Sequence, residues 1–271
     1  MAKNDRTNRS VRRFLPAVGV LAVLTVWVTV LNPRMQSRQY RAKMTRLLQS
    51  SAPETRKQAA WAMIERPDRE LETLIIRGAM GDEPDPDVRE AYVYTLGKLG
   101  DPRNLAAIES AIDQDPSGYV RAAAWLAAAR VDSQHFRTLA EAGPLPQRPW
   151  DRIGIAQGRL CLGDVHDVNE LLHWAEAGDD SQRQVASRAM FKWLRPLLDA
   201  AGRWPVGATV REGEPWPPGL IAEIKVRCAT MDLQAIADET VPRRAAAYRV
   251  RRNVGRLTRT RDGLASLLFG E

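Results

Sequence analysis

The sequence predicts an all-α solenoid of about six helical hairpins, preceded by one apolar transmembrane helix. Three observations predict it. An arginine recurs at Arg56, Arg89, Arg121 and Arg152, with spacings of 33, 32 and 31 residues. An aspartate follows each one, at Asp68, Asp101, Asp132 and Asp164, after 12, 12, 11 and 12 residues. A fixed period near 32 residues marks stacked repeats, because a lone helix pair cannot bury both of its apolar faces. Finally, residues 14–31 (FLPAVGVLAVLTVWVTVL) hold no charge in 18 positions.

Taken in order, residues 1–13 form a polar, basic tail. The apolar run 14–31 covers about 27 Å as a helix, close to the hydrocarbon thickness of a bilayer. It exceeds the usual signal-peptide core, and VTVLNPRM has no small-residue cleavage site, so an uncleaved single-pass anchor is expected. Five cations flank it on each side: Lys3, Arg6, Arg9, Arg12 and Arg13 before, and Arg34, Arg38, Arg41, Lys43 and Arg46 after. The positive-inside rule is nearly tied. The usual signal-anchor arrangement places the repeats on the extracytoplasmic side. Residues 32–50 read as a basic stalk and residues 51–271 as the repeat domain.

The letters of one repeat carry its physics. In GKLGDPRNL, Gly100 ends the first helix in the left-handed conformation, Asp101 caps the second, and Pro102 takes its first position. Gly163-Asp164 repeats this, and Val131-Asp132 keeps the cap. Apolar residues follow each aspartate at +4 and +7: Leu105 and Ile108, Phe136 and Leu139, Val168 and Leu171. They share one helical face. The alanine run from 122 to 129 permits close helix contact. Asp87-Val88-Arg89 with Gly100-Asp101-Pro102, and Tyr119-Val120-Arg121 with Asp132, resemble the HEAT repeat family. The resemblance is to its short bacterial form, related to the repeats of phycobilisome lyases. It is closest over 84–132 and extends more loosely over 51–178. It implies a charged ladder in which Arg89 and Arg121 pair with neighbours such as Asp85, Asp87 or Asp115, a structural role.

After Asp180 the pattern loosens. Pro196 predicts a helix break near Arg195. Residues 198–219 hold Trp204-Pro205, Trp216-Pro217-Pro218 and several glycines, and read as a loop inserted in the solenoid. Trp204 and Trp216 are candidate partner-binding anchors, since insertions map to binding faces; folded back, they would plug the groove instead. The last segment holds Arg249, Arg252 and Arg256 among eight arginines. These are candidate contacts to an anionic partner, or the polar outer face that a terminal repeat requires.

Charge and motif content narrow the function. The net charge of +7 is two basic ends on an acidic body: residues 1–46 carry ten Lys or Arg against Asp5, residues 241–262 carry eight Arg against Asp262, and residues 47–240 sum to −8. This disfavours a uniformly basic nucleic-acid binder. Only Tyr248 interleaves the terminal arginines, so base stacking is poorly served. His166, Glu170 and His173 share a helical face, but the two histidines stand about 10.5 Å apart along it, too far for one ion. Cys161 and Cys228 have no CxxC spacing. No GxSxG, Walker loop, GxGxxG or HExxH occurs. The expected function is therefore a membrane-anchored scaffold for a protein partner, with no cofactor, no metal and no catalysis. Two alternatives stand beside it: a lyase-like or other enzyme on the same frame, and binding of anionic lipid or nucleic acid through the terminal arginines.

Overall fold

The computed structural model describes residues 32–142, 147–205, 207–211 and 214–240. All their regular structure is helical; no strand occurs among them. The chain divides into two compact units between Leu74 and Ile75.

The first unit contains α1 (Asn32–Leu48), α2 (Pro53–Glu65) and the start of α3 (Arg69–Arg77). The expected stalk is packed structure: α1 lies on α2 and buries Met44 and Leu48. Polar ties fix its angle. The Tyr40 hydroxyl donates to the Arg66 carbonyl at 2.8 Å, and the Arg66 guanidinium sits over the Tyr40 ring at 4.3 Å. Arg41 Nε donates to Asp68 Oδ2 at 2.6 Å, and its Nη1 to Glu70.

The second unit is a row of hairpins: α4 (Pro86–Leu99) with α5 (Leu105–Gln114), α6 (Gly118–Val131) with α7 (Ser133–Glu141), and α8 (Pro149–Leu162) with α9 (Val168–Ala177). The first helices of these pairs form one layer, with α6 between α4 and α8. Small residues set the spacing. A Cβ on Gly97 would stand 2.7 Å from the Ala127 backbone, and one on Gly154 would stand 2.8 Å from that of Ala122. Both distances are shorter than carbon atoms tolerate, so only glycine allows α4 and α8 to approach α6 this closely. Ala122, Ala124, Ala127 and Ala128 are buried in the two seams.

Helix ends follow the sequence expectation in part. Gly100 and Gly163 adopt φ of 66° and 90°, the left-handed region where a side chain is disfavoured. Asp132 accepts the Gln134 and His135 amides and caps α7. Asp101 accepts the Arg103 amide, but the turn it starts, Pro102–Asn104, is a 3₁₀ turn that leads into α5. Asp164 departs from expectation. It accepts from the amide and ring of His166, while α9 starts only at Val168, so Asp164 holds a turn and caps no helix.

Beyond α9, Asp179 and Gln182 form a reciprocal capping box that starts α10 (Asp180–Ala189). The predicted break near Arg195 is instead a widened π turn, Met190–Leu194, leading straight into α11 (Arg195–Ala200). Pro196 explains it. The ring has no N–H for the Lys192 carbonyl and would clash with it, and the wider turn accommodates both. The inserted loop runs over 201–217, and α12 (Pro218–Ala229) packs on α9. The insertion therefore lies between the two helices of the fourth hairpin of this unit. Residues 233–240 begin a further helix. Gln234 anchors it on the α8–α9 turn, donating to the Gly163 carbonyl at 3.1 Å and accepting from the Val165 amide at 3.2 Å.

The expectation of a single-pass membrane protein is corrected. No helix among the described residues is long and apolar enough to cross a membrane. The helix at the start of the described chain, α1, carries five cations in 17 residues, which hydrocarbon does not accommodate. Residues 14–31, on which the expectation rested, lie outside the described residues, and the sidedness inferred from them falls with it.

Candidate functional site

The repeat arginines are structural ties. Arg89 Nη1 donates to the carbonyls of Glu83 and Pro84, both at 3.0 Å, which are six and five residues earlier. Arg121 Nη1 does the same to Asp115 and Pro116 at 2.9 and 3.4 Å, and Arg56 Nη1 to Ser50 and Ser51 at 2.7 and 3.1 Å. The rest of each second-unit guanidinium reaches into the next repeat. Arg89 grips Asp115 through Nε at 2.7 Å and Nη2 at 3.1 Å, and Arg121 Nε bonds Asp151 at 3.0 Å. All four residues are buried. The Asp115 partner is one that the resemblance implied; Asp151 is not. It replaces the expected carboxylate because the α7–α8 connection is longer and places Pro146 six residues before Arg152. Arg152 is consequently out of the ladder and bonds Glu170 at 2.6 Å.

Of the candidate anchors, Trp216 is buried and Trp204 is half-buried. Trp216 is 3% exposed and Trp204 packs against the same core. Their rings meet edge to face at 5.5 Å and 78°. The Trp216 amide donates to Ser187 Oγ at 3.0 Å, and Trp204 Nε1 to the Ala208 carbonyl at 3.2 Å. The loop is thus a plug: its indoles fill the space between α10 and α12 that a plain hairpin turn would leave open. Arg249, Arg252 and Arg256 lie outside the described residues. Among the described residues the exposed tryptophan is Trp61, at 42%, with Lys57 over its ring.

The His166 and His173 face holds no site. Glu170 is engaged by Arg152 and Trp174, His166 by Asp164, and His173 lies edge-on to Trp174. Among the described residues no group of three or more side chains could hold a metal ion.

A different cluster emerges toward the C-terminal ends of α4 and α6 and in the turn that follows α10. Tyr94 and Lys98 come from α4, Arg130 from α6, and Lys192 and Trp193 from the π turn. The Arg130 guanidinium lies 4.8 Å from the centre of the Tyr94 ring, Lys192 Nζ 5.7 Å and Lys98 Nζ 5.8 Å. Lys192 Nζ donates to the Tyr94 hydroxyl at 3.4 Å across 98 residues of chain. Lys192 and Arg130 also face the Trp193 ring, at 5.1 and 6.0 Å. In an ideal stack each repeat touches only its neighbours; here side chains of the first and fourth hairpins of the unit meet.

Burial pushes the Lys98 ammonium below the ordinary lysine range; Tyr94 opposes this, and the charges of Arg130 and Lys192 add to it. The unfolded chain binds the Lys98 proton more tightly than the folded one, so folding carries a penalty while Lys98 is charged. Stability from this group rises as pH climbs from the lowered folded value to the ordinary one. Lys98→Met should therefore raise Tm at pH 7, and the gain should shrink as pH rises toward the ordinary lysine range of about 10.4 in a thermal-melt series. A constant or negative difference would contradict the burial argument.

The spacing held a signal for this cluster. Lys98 and Arg130 are 32 residues apart, and Lys192 follows Arg130 by 62, two repeat lengths. All three occupy the same register, near or just past the end of the first helix of a hairpin. The more regular arginines at the helix starts mask it.

Residues 40–129 match the family of HEAT repeats. No curated protein matches the chain. The HEAT match runs from the middle of α1 through α2 and on into α6, including part of what reads as a stalk in the sequence. It is to HEAT repeats in general, and the narrower likeness to phycobilisome lyases has no support. Arg89, Arg121 and their aspartates thus join one hairpin to the next, and the cationic cluster lies where side chains of several hairpins converge.

Proposed function

We propose that the protein is an interaction scaffold that binds a protein partner and carries out no reaction itself. HEAT repeats serve typically as such scaffolds, and residues 40–129 match them. The observation that carries the reading is the meeting of Tyr94, Arg130 and Lys192. Three hairpins contribute side chains to one surface, which is how a stack presents a recognition face larger than any one repeat. The conspicuous charges within the layer, Arg89 with Asp115 and Arg121 with Asp151, are consumed in holding the stack together.

The test is cross-linking of the whole chain in extract from its native cell, followed by reconstitution of each captured protein with the purified chain. The expected result is a binary complex with a Kd in the micromolar range or tighter, about 8 kcal/mol or more of binding free energy. Two results would sink the reading: no captured protein binds the purified chain directly, or the purified chain turns over a small molecule without any partner.

A further inference from the structure

We propose that the outer face of α1 is a docking surface for an acidic helical segment of a protein partner. The proposal rests on the reading of the chain as an interaction scaffold and gives one partner its chemistry. α1 holds five cations and no carboxylate in 17 residues. Its apolar side chains Met44 and Leu48 are buried where it lies on α2, and Arg41 is held by Asp68 and Glu70. Arg38, Lys43 and Arg46 are exposed, and among the described residues none of the three has a carboxylate partner. Each residue turns about 100° around a helix, so these cations fan over about 140° of its surface and cover about 12 Å along its axis. Met35, 54% exposed, and Ala42 lie between them.

This arrangement disfavours the helix unless an anion stands beside it. Lys43 and Arg46 are three residues apart on one face, where like charges repel. No acidic residue in the first turn offsets the helix dipole. Several helical cations elsewhere have a carboxylate within a turn of their own helix: Lys57 has Glu54, Arg183 has Asp180 and Arg227 has Glu223. α1 supplies none, so the charge of its outer face is left for another molecule.

Length and polarity select the partner. A helix with glutamates at i, i+4 and i+8 carries three carboxylates over about 12 Å, the span of the three cations. The narrow apolar strip at Met35 and Ala42 gives such a helix a dry contact. A lipid surface fits worse, because a helix lying in the interface sinks a continuous apolar face, and that of α1 is already covered by α2. A nucleic-acid strand also fits worse, since residues 47–240 sum to −8 and repel an extended polyanion.

The test uses the full chain and a labelled alanine-based helix bearing glutamates one turn apart, followed by fluorescence anisotropy at low ionic strength. The wild type should bind it, and added sodium chloride should weaken the complex. The triple variant Arg38→Glu, Lys43→Glu and Arg46→Glu should bind about tenfold more weakly, the effect of three exposed ion pairs. It should in turn bind a lysine version of the peptide more tightly than the wild type does. Arg137→Glu with Arg188→Glu and Arg203→Glu makes the same change of net charge at exposed arginines of the second unit and should leave binding unchanged. Replacing the three α1 cations with glutamine keeps the test valid if the glutamate variant does not fold. The proposal is overturned if the α1 variants bind as the wild type does or if the second-unit variant loses as much. It is equally overturned if reversing the α1 charges releases phosphatidylserine vesicles or a DNA duplex and leaves the peptide bound. A captured partner that binds the α1 variant and the wild type alike leaves the scaffold reading standing and removes this one, so the two fail separately.

Discussion

Replacing Arg89 with methionine should cost about 3–5 kcal/mol of folding stability, read as a lower urea midpoint. The side chain is 8% exposed and Asp115 is 4% exposed. Methionine fills most of the volume but leaves the Asp115 carboxylate with the Ser117 amide as its remaining hydrogen bond, at 2.8 Å. It also frees the Glu83 and Pro84 carbonyls, which Arg89 closes. Most of the loss comes from burying a charge without its partner, because the pair itself contributes little net energy over apolar packing. The double variant Arg89→Met with Asp115→Leu should therefore recover much of the loss. Arg89→Lys should not, since an ammonium cannot engage both carboxylate oxygens and two carbonyls at once. A loss below about 1 kcal/mol for Arg89→Met would show that the ladder does not hold the stack.

Trp216→Ala should cost about 3–5 kcal/mol, the range for deleting a buried aromatic side chain. The indole belongs to one core with residues of α10, α12 and the 233–240 helix, and its removal also strands Trp204, which leans on it edge to face. Trp204→Ala, at the less buried site, should cost less. The two losses should not add, because the rings are in contact and share one cavity. Stability at the wild-type level in Trp216→Ala would restore the indole as a surface anchor and overturn the plug.

The repeat register was legible because backbone needs repeat. Each helix end must satisfy free amides and carbonyls, so glycine and aspartate recur at fixed spacing, and the ends at Gly100, Gly163 and Asp132 could be read directly, while Asp164 could not. The ladder was legible in half: Arg89 and Asp115 lie in repeats of standard length, whereas Asp151 enters only because the α7–α8 connection shifts the chain. The role of the tryptophans was not legible. An indole in a Pro-Gly-rich loop has the same local sequence whether it faces water or a core, and the choice depends on a gap between α10 and α12 that forms only in three dimensions. The cationic cluster lay between these cases. Its register is visible in the sequence, but the approach of Lys192 to Tyr94 is not.

By itself, then, the sequence determined the helical class, the period and most of the helix ends, all of which depend on neighbours within about one repeat. Only the tertiary structure decided that the loop is a plug, that Asp164 caps no helix, that Pro196 widens a turn without breaking it, and that three cations share one phenol. The plug and the shared phenol depend on how closely distant helices approach, and in the layer of α4, α6 and α8 that distance is set at Gly97 and Gly154, which pack against a helix some 30 residues away in the chain.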